Sequence, residues 1–253
     1  MSENREAELP AVEGHVPEVR TTGSVRALHF SSDQIQSRMS LLNPDALDLE
    51  YTRMMMGFLL FNPAPSRITM IGLGGGSLAK FCHRYLEDAS IDVVEIDAAV
   101  IALRDAFMVP PDGPRFSVIQ GDGAHYVADC ANATDVLLVD GYDLAGMPDA
   151  LCTEAFYADC HAALRDSGIM VVNFHVEHPD YDVYLDRIRA SFGSSMFEVV
   201  DDDMTNSVVF ACKGDLFDDL RDIIVKRPPS MTRDAWRQLM PTFKVIAATL
   251  VPR

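Results

Sequence analysis

Nothing in the 253 residues approaches the roughly twenty consecutive apolar residues that would span a bilayer. The N-terminus, MSENREAELPAVEGHVPE, lacks the basic start and apolar stretch of a secretory signal, and residues 1–18 read as a disordered acidic tail. These two gaps point to a cytoplasmic protein that does not engage membranes. Basic residues are scarce: 21 Lys and Arg stand against 38 Asp and Glu, a formal charge of −17. Such a surface repels nucleic-acid phosphates and attracts cations, polyamines included. No CxxC pair occurs among Cys82, Cys130, Cys152, Cys160 and Cys212, and the odd count fits reduced, buried thiols. The pair His175 and His178 lacks further ligands, so no metal is expected. Ser77, Ser167 and Ser207 have no nucleophile-elbow context, and no phosphate-binding lysine motif is present. Trp236, the only tryptophan, reads as a packing anchor on a C-terminal helix.

What remains is a chain rich enough in apolar residues, at 48%, to build the core of one α/β domain. Its centre is Arg67 to Lys80, RITMIGLGGGSLAK. A short β-type run meets Gly72, Gly74, Gly75 and Gly76, and an amphipathic helix follows over 77–86. Glycines here let a ligand approach the amides at the helix start, as in nucleotide-binding turns. Tight turns also collect glycine for structural reasons alone, so the flanking pattern matters. A second apolar run, Ile91 to Ile96, ends in Glu95 and Asp97, about twenty residues past the glycines, where an acid can accept bonds from ribose hydroxyls.

Strands and helices then alternate: Phe116 to Ile119, Val136 to Val139 and Ile169 to Phe174 are strands, separated by helices over 98–107, 123–130 and 153–164. This is the pattern of a doubly wound, Rossmann-like parallel sheet of the methyltransferase kind. After a helix over 180–191, Met196 to Val200 and Ser207 to Cys212 form an antiparallel hairpin that closes the sheet. Helices are expected at 216–227 and 233–250. Upstream, Ser24 to Phe30 and Gln34 to Leu41 read as a small β-hairpin turning at 31–33. A helix from Asn43-Pro44-Asp45 to Phe61 then buries Leu47, Met54, Met55, Phe58 and Leu59. The expected organisation is a tail over 1–18, a hairpin and linking helix over 19–62, and the nucleoside-binding domain over 63–253.

Acidic residues cluster at the strand ends. Asp122 lies between Gly121 and Gly123, where it can meet an adenine amine or simply cap a helix. Asp140 and Asp143, in VDGYDLAG, leave the fourth strand opposite the glycine turn and could hold a cationic substrate and take its proton. Asp and Gly also form ordinary loops.

The run GLGGGS, VEID, GDG, VDGYD and TEAFY resembles the spermidine synthase (polyamine aminopropyltransferase) family, in particular its divergent bacterial spermidine synthase-like branch. The resemblance spans about residues 20–215 and implies a transferase using decarboxylated S-adenosylmethionine as co-substrate, a small amine such as putrescine as acceptor, and a homodimer. It implies that Glu95 binds ribose and Asp122, with Gly123, binds adenine above the Gly72–Gly76 turn. It further implies that Asp140 helps deprotonate the amine, that Asp143 helps hold it, and that Gln36 lies near the ligand. Tyr142 can assist the proton relay. The family's turn usually reads GGGDGG, with an acid for the cofactor's amine; here that position is Gly75. The aromatic-polar pair usual after the hairpin is replaced by Glu50-Tyr51-Thr52, and the serine pair by Gly141-Tyr142. Transfer of a methyl group from intact S-adenosylmethionine, or a silent nucleoside-binding role, are the alternative readings.

Overall fold

A computed structural model of the chain describes residues 17–30, 35–143, 146–217 and 225–250. Two sheets are present among them: a three-stranded antiparallel sheet and a seven-stranded mixed sheet. The small sheet holds β1 (Glu18–Thr22), β2 (Val25–His29) and β3 (Ile35–Ser40). β2 and β3 are the expected hairpin; its turn, 31–34, lies outside the described residues. β1 was not expected, and its pattern explains why: all but Val19 of its residues are exposed, so it joins by backbone pairing and shows no apolar alternation.

The linking helix is shorter than its apolar pattern suggests. α1 runs only over Glu50–Met55, then tightens to a 3-10 turn over Met56–Leu60. Gly57 sits in this turn because the neighbours come too close for a side chain: a Cβ would lie 2.5 Å from Ile246 Cδ1. Met54, Met55 and Met56 are core, as expected.

The large sheet has strand order β6-β5-β4-β7-β8-β10-β9. These are β4 (Arg67–Ile71), β5 (Ser90–Glu95), β6 (Phe116–Gln120), β7 (Thr134–Val139), β8 (Leu164–His175), β9 (Met196–Val200) and β10 (Asn206–Cys212). The first five are parallel. The hairpin closes the sheet as expected, with β10 inserted antiparallel between β8 and β9. Helices cover both faces: α2 (Ser77–Tyr85) and α7 (Arg233–Leu250) on one, with α4 (Gly123–Ala128), α5 (Glu154–Ala163) and α6 (Tyr181–Phe192) on the other. The expected helix over 98–107 stops early, as α3 (Ala98–Ala102), and gives way to turns that reach Met108 at φ 57°. Of the helix expected over 216–227, residues 218–224 lie outside the described residues and 225–227 are not helical. Trp236 packs edge-on against Phe243. No helix among the described residues is long and apolar enough to cross a membrane.

The chain leaves β4 for β5 and β6 on one side and returns to β7 on the other. Strand order therefore reverses between β4 and β7, and the carboxyl ends of strands at such a reversal are where open α/β sheets bind ligands. Every acidic residue singled out in the sequence lies along that edge.

Candidate active site

The candidate site is built around the turn after β4. Gly72 holds φ 96°, and a Cβ there would stand 2.2 Å from the carbonyl oxygen of Asp140. Only glycine lets the two strand ends approach this closely. The Asp140 amide in turn donates to Ile71 O at 2.9 Å, so the ends of β4 and β7 are clamped together. Gly74 and Gly76 are also left-handed, and Gly76 caps α2. Gly75 is different: its backbone is ordinary, but a Cβ would lie 2.5 Å from Ser37 Oγ and 3.0 Å from Phe107 Cδ1.

On one side of the turn stands Glu95, at the end of β5 and only 9% exposed. Its Oε2 accepts the Leu73 amide at 2.8 Å and its Oε1 the Asp97 amide at 2.9 Å. Burial raises its pKa, and the backbone donors offset part of that rise. Asp97 caps α3 through the Ala99 amide. Asp122 caps α4: Oδ1 accepts from Ala124 N at 2.8 Å, and Oδ2 lies 3.2 Å from His125 Nδ1. Gly123 lets the start of α4 rest on β4, since a Cβ would meet Ile71 Cγ2 at 2.3 Å. Glu95 and Asp122 are drawn together because the Gly121 amide donates to Glu95 O.

On the other side stands Asp140. Its Oδ1 accepts from Asn173 Nδ2 at 3.0 Å, and the hydroxyl of Tyr51 donates to the same carboxylate. Protein surrounds this carboxyl on most sides, although the residue keeps some contact with solvent. Burial is the larger influence and its pKa is raised; the two donors pull it back. Tyr142 donates to Asn173 O at 2.9 Å and stacks on His175, with ring centroids 4.5 Å apart. Asp143 Oδ1 accepts the Gly146 amide at 3.1 Å and so shapes the loop; Leu144 and Ala145 lie outside the described residues. The outer rim is acidic. Burial first, then Asp202, Asp201 and Asp203, raises the pKa of Glu50, which adjoins Tyr51. The hairpin bearing these aspartates turns beside His175, whose partner in the ladder is Asn206.

The structure thus brings Gly72–Gly76, Glu95, Asp122, Gly123, Asp140, Tyr142 and Asp143 to one edge. Gln36 is half-buried on β3, while its neighbours Ser37 and Met39 are the residues buried against the domain. Three side chains were not picked out from sequence: Tyr51, Asn173 and Ser37. Asn173 carried a signal, as the one polar residue in an otherwise apolar strand run, MVVNF. Among the described residues no group of three or more His, Cys, Asp or Glu is placed to hold a metal.

A family model described as the spermine/spermidine synthase domain matches residues 48–203. A polyamine aminopropyltransferase of Chromobacterium violaceum is 43% identical over 193 residues, covering 75% of this chain and 74% of the relative. One of Neisseria meningitidis is 41% identical over 206 residues, covering 80% and 78%. The fold is shared with a probable spermidine synthase from Corynebacterium glutamicum, at TM-score 0.70 and 22% identity over 80% of this chain and 78% of that one. It is also shared with human methyltransferase-like protein 13, at TM-score 0.59 and 20% identity over 81% and 94%. The match over most of the chain, together with the two close relatives, settles the lineage: the protein belongs to the spermine/spermidine synthase family.

Proposed function

We propose that the protein transfers the aminopropyl group of decarboxylated S-adenosylmethionine to a primary amine such as putrescine. The relatives named as polyamine aminopropyltransferases support this reading. The observation that carries it is the half-buried Asp140 carboxylate, held by Tyr51 and Asn173 across the glycine turn from Glu95. On this reading Glu95 receives the ribose hydroxyls, Asp122 the adenine amine, and Asp140 the acceptor. Asp143 and Tyr142 shape the amine side.

The acceptor poses the chemical problem. A primary ammonium with a pKa of about 10.4 must lose a proton before it attacks, which costs roughly 4–5 kcal/mol near pH 7. Asp140 orients that ammonium and receives its proton, and the raised pKa of the carboxyl makes it a better acceptor than an exposed aspartate. Tyr51 stabilises the ionised form until the proton moves. The new N–C bond forms as the C–S bond breaks, and the electron pair returns to sulfur to give a neutral thioether. No acid is needed for the leaving group. The acidic rim of Glu50 and Asp201 to Asp203 favours a cationic acceptor near the entrance.

A second reading, methyl transfer from intact S-adenosylmethionine, is favoured by Gly75, where no acid is available for the amine of a decarboxylated tail. Calorimetric titration with each cofactor, followed by product analysis with putrescine, separates the two. Aminopropyl transfer predicts an elongated amine and methylthioadenosine; a methylated amine would replace the first reading with the second. The reading also carries a cytoplasmic homodimer, which sedimentation at micromolar concentration tests.

A further inference from the structure

The seven-stranded sheet ends in β6 on one side and β9 on the other, and the two edges are finished differently. At β6 the Val118 amide donates to Asp112 Oδ1 at 2.9 Å, and Phe116 exchanges backbone bonds with Gly113, so the chain caps its own edge. At β9 the pairing with β10 fixes which groups turn outward. Asp201 N donates to Asn206 O and Cys212 N to Ser195 O, so the odd-numbered residues of β9 bond to β10. Met196, Glu198 and Val200 therefore present their backbone to the outside. The Met196 amide turns back to Ser194 O at 2.8 Å, while Glu198 and Val200 have no backbone partner on that side among the described residues.

Both flanks of this open edge are apolar. On the face that carries α7, Phe197 stacks on buried Phe210 with centroids 4.8 Å apart and meets Phe61 and Phe217 edge-on. Phe61, Phe197 and Phe217 are all only partly buried. On the face that carries α6, a cavity of about 170 Å³ is lined by Leu185, Arg189, Met196 and Glu198. An unpaired strand between two apolar flanks is a surface for another strand.

Symmetry and charge identify that strand. Pairing β9 with its own copy can be centred on Glu198, Val199 or Phe197. Centring on Glu198 sets two carboxylates opposite each other, which is unfavourable. Centring on Val199 brings Asp201 and Asp202 of one copy opposite Phe197 and Met196 of the other, placing carboxylates against the apolar flanks. Centring on Phe197 sets the two rings side by side, and Glu198 then stands opposite Met196 of the second copy, on the face where that copy's Arg189 lines the cavity. Resting on the homodimer that the transfer reading carries, we propose that β9 pairs antiparallel with β9 of a second copy about a two-fold axis at Phe197, joining the two sheets edge to edge. The same patch serves both copies, so the contact closes on itself and no filament follows.

The test combines sedimentation with a cysteine scan of the strand. In the proposed register Phe197 forms a non-hydrogen-bonded pair with its copy, with Cα atoms about 4.5 Å apart, a separation that a disulfide spans. The two copies of Glu198 stand diagonally, roughly 7–8 Å apart, and those of Val199 farther still. Under a mild oxidant Phe197→Cys should therefore give a cross-linked dimer above the level set by the parent's own thiols, and Glu198→Cys and Val199→Cys should not. Glu198 is exposed, so Glu198→Lys keeps the fold even where Phe197→Cys does not. Facing Arg189 of the second copy, the new lysine should raise the dimer dissociation constant about tenfold, and adding Arg189→Glu should bring it back. Cross-linking strongest at 198 or 199, or a dissociation constant within about twofold of the parent in Glu198→Lys, would overturn the proposal. A parent chain that stays monomeric at micromolar concentration overturns the homodimer and this proposal with it. A dimeric parent with no cross-linking at Phe197→Cys above the baseline overturns this pairing alone.

Discussion

At the end proposed for the nucleoside, Glu95 is held by backbone amides of Leu73, in the turn after β4, and of Asp97, while Asp97 and Asp122 are held by amides of the helices that follow them. At the end proposed for the amine, Asp140 is held by two side chains, Tyr51 from α1 and Asn173 from β8. The contrast separates two ways of setting a carboxylate. Backbone donors are supplied by the fold itself and, proline apart, stay in place when a side chain is exchanged. Side-chain donors can be tuned one at a time, which suits a group whose basicity must match a proton transfer. Asn173 fits that role, since its Oδ1 is buried without a partner while its Nδ2 serves Asp140.

Removing the carboxylate at the amine end gives the largest effect. Asp140→Asn should lower kcat/KM for the amine by about a thousandfold or more while methylthioadenosine affinity stays within about twofold. Steady-state kinetics beside calorimetry checks both, and turnover within about tenfold of the parent would remove Asp140 from the chemistry. Tyr51→Phe comes next, with a loss of about ten- to a hundredfold. Tyr51 donates to ionised Asp140 and so lowers its pKa. Without that donor the pKa rises further, and the acidic limb of the kcat/KM profile should move to higher pH. A limb that stays put or moves down contradicts the assignment.

That same contrast decided what could be read in advance. A carboxylate capping its own helix leaves a local trace: Asp97 lies two residues before Ala99 and Asp122 two before Ala124, and both contacts fall within one motif. The parallel strands were legible for a like reason, since each is a short apolar run covered on both faces. Asn173 meets Asp140 only once β8 has paired with β7, and Tyr51 only once α1 has packed on β8 and β10, long-range contacts with no local pattern. Glu50-Tyr51-Thr52 departs from the family's usual pair, yet Tyr51 reaches Asp140 in the folded chain. β1 escaped notice because an exposed edge strand has no buried alternation to show.

Two substitutions at the nucleoside end sharpen the comparison with smaller effects. Glu95→Gln exchanges one carboxylate oxygen for an NH2 group, so either the Leu73 or the Asp97 amide loses its acceptor. Methylthioadenosine should bind about tenfold more weakly, with kcat at saturation little altered. A fall in kcat with unchanged affinity would mean that the two ends are not divided as described.

Asp122→Asn gives the smallest effect and separates two roles of one side chain. Asparagine caps helices about as well as aspartate, so α4 should keep its N-terminus and thermal stability should change by less than about 0.5 kcal/mol. Asp122→Ala should instead lose about 1 kcal/mol with the cap. With Oδ1 retained for the Ala124 amide, the second arm becomes an NH2 group where Oδ2 now stands. A donor there faces the donor amine of adenine, and methylthioadenosine affinity should drop by about three- to tenfold. Unchanged affinity in Asp122→Asn would leave Asp122 as a helix cap alone. The recognition of the base would then rest on the backbone around Gly121 and Gly123, and the nucleoside end would be still less dependent on side chains than the amine end.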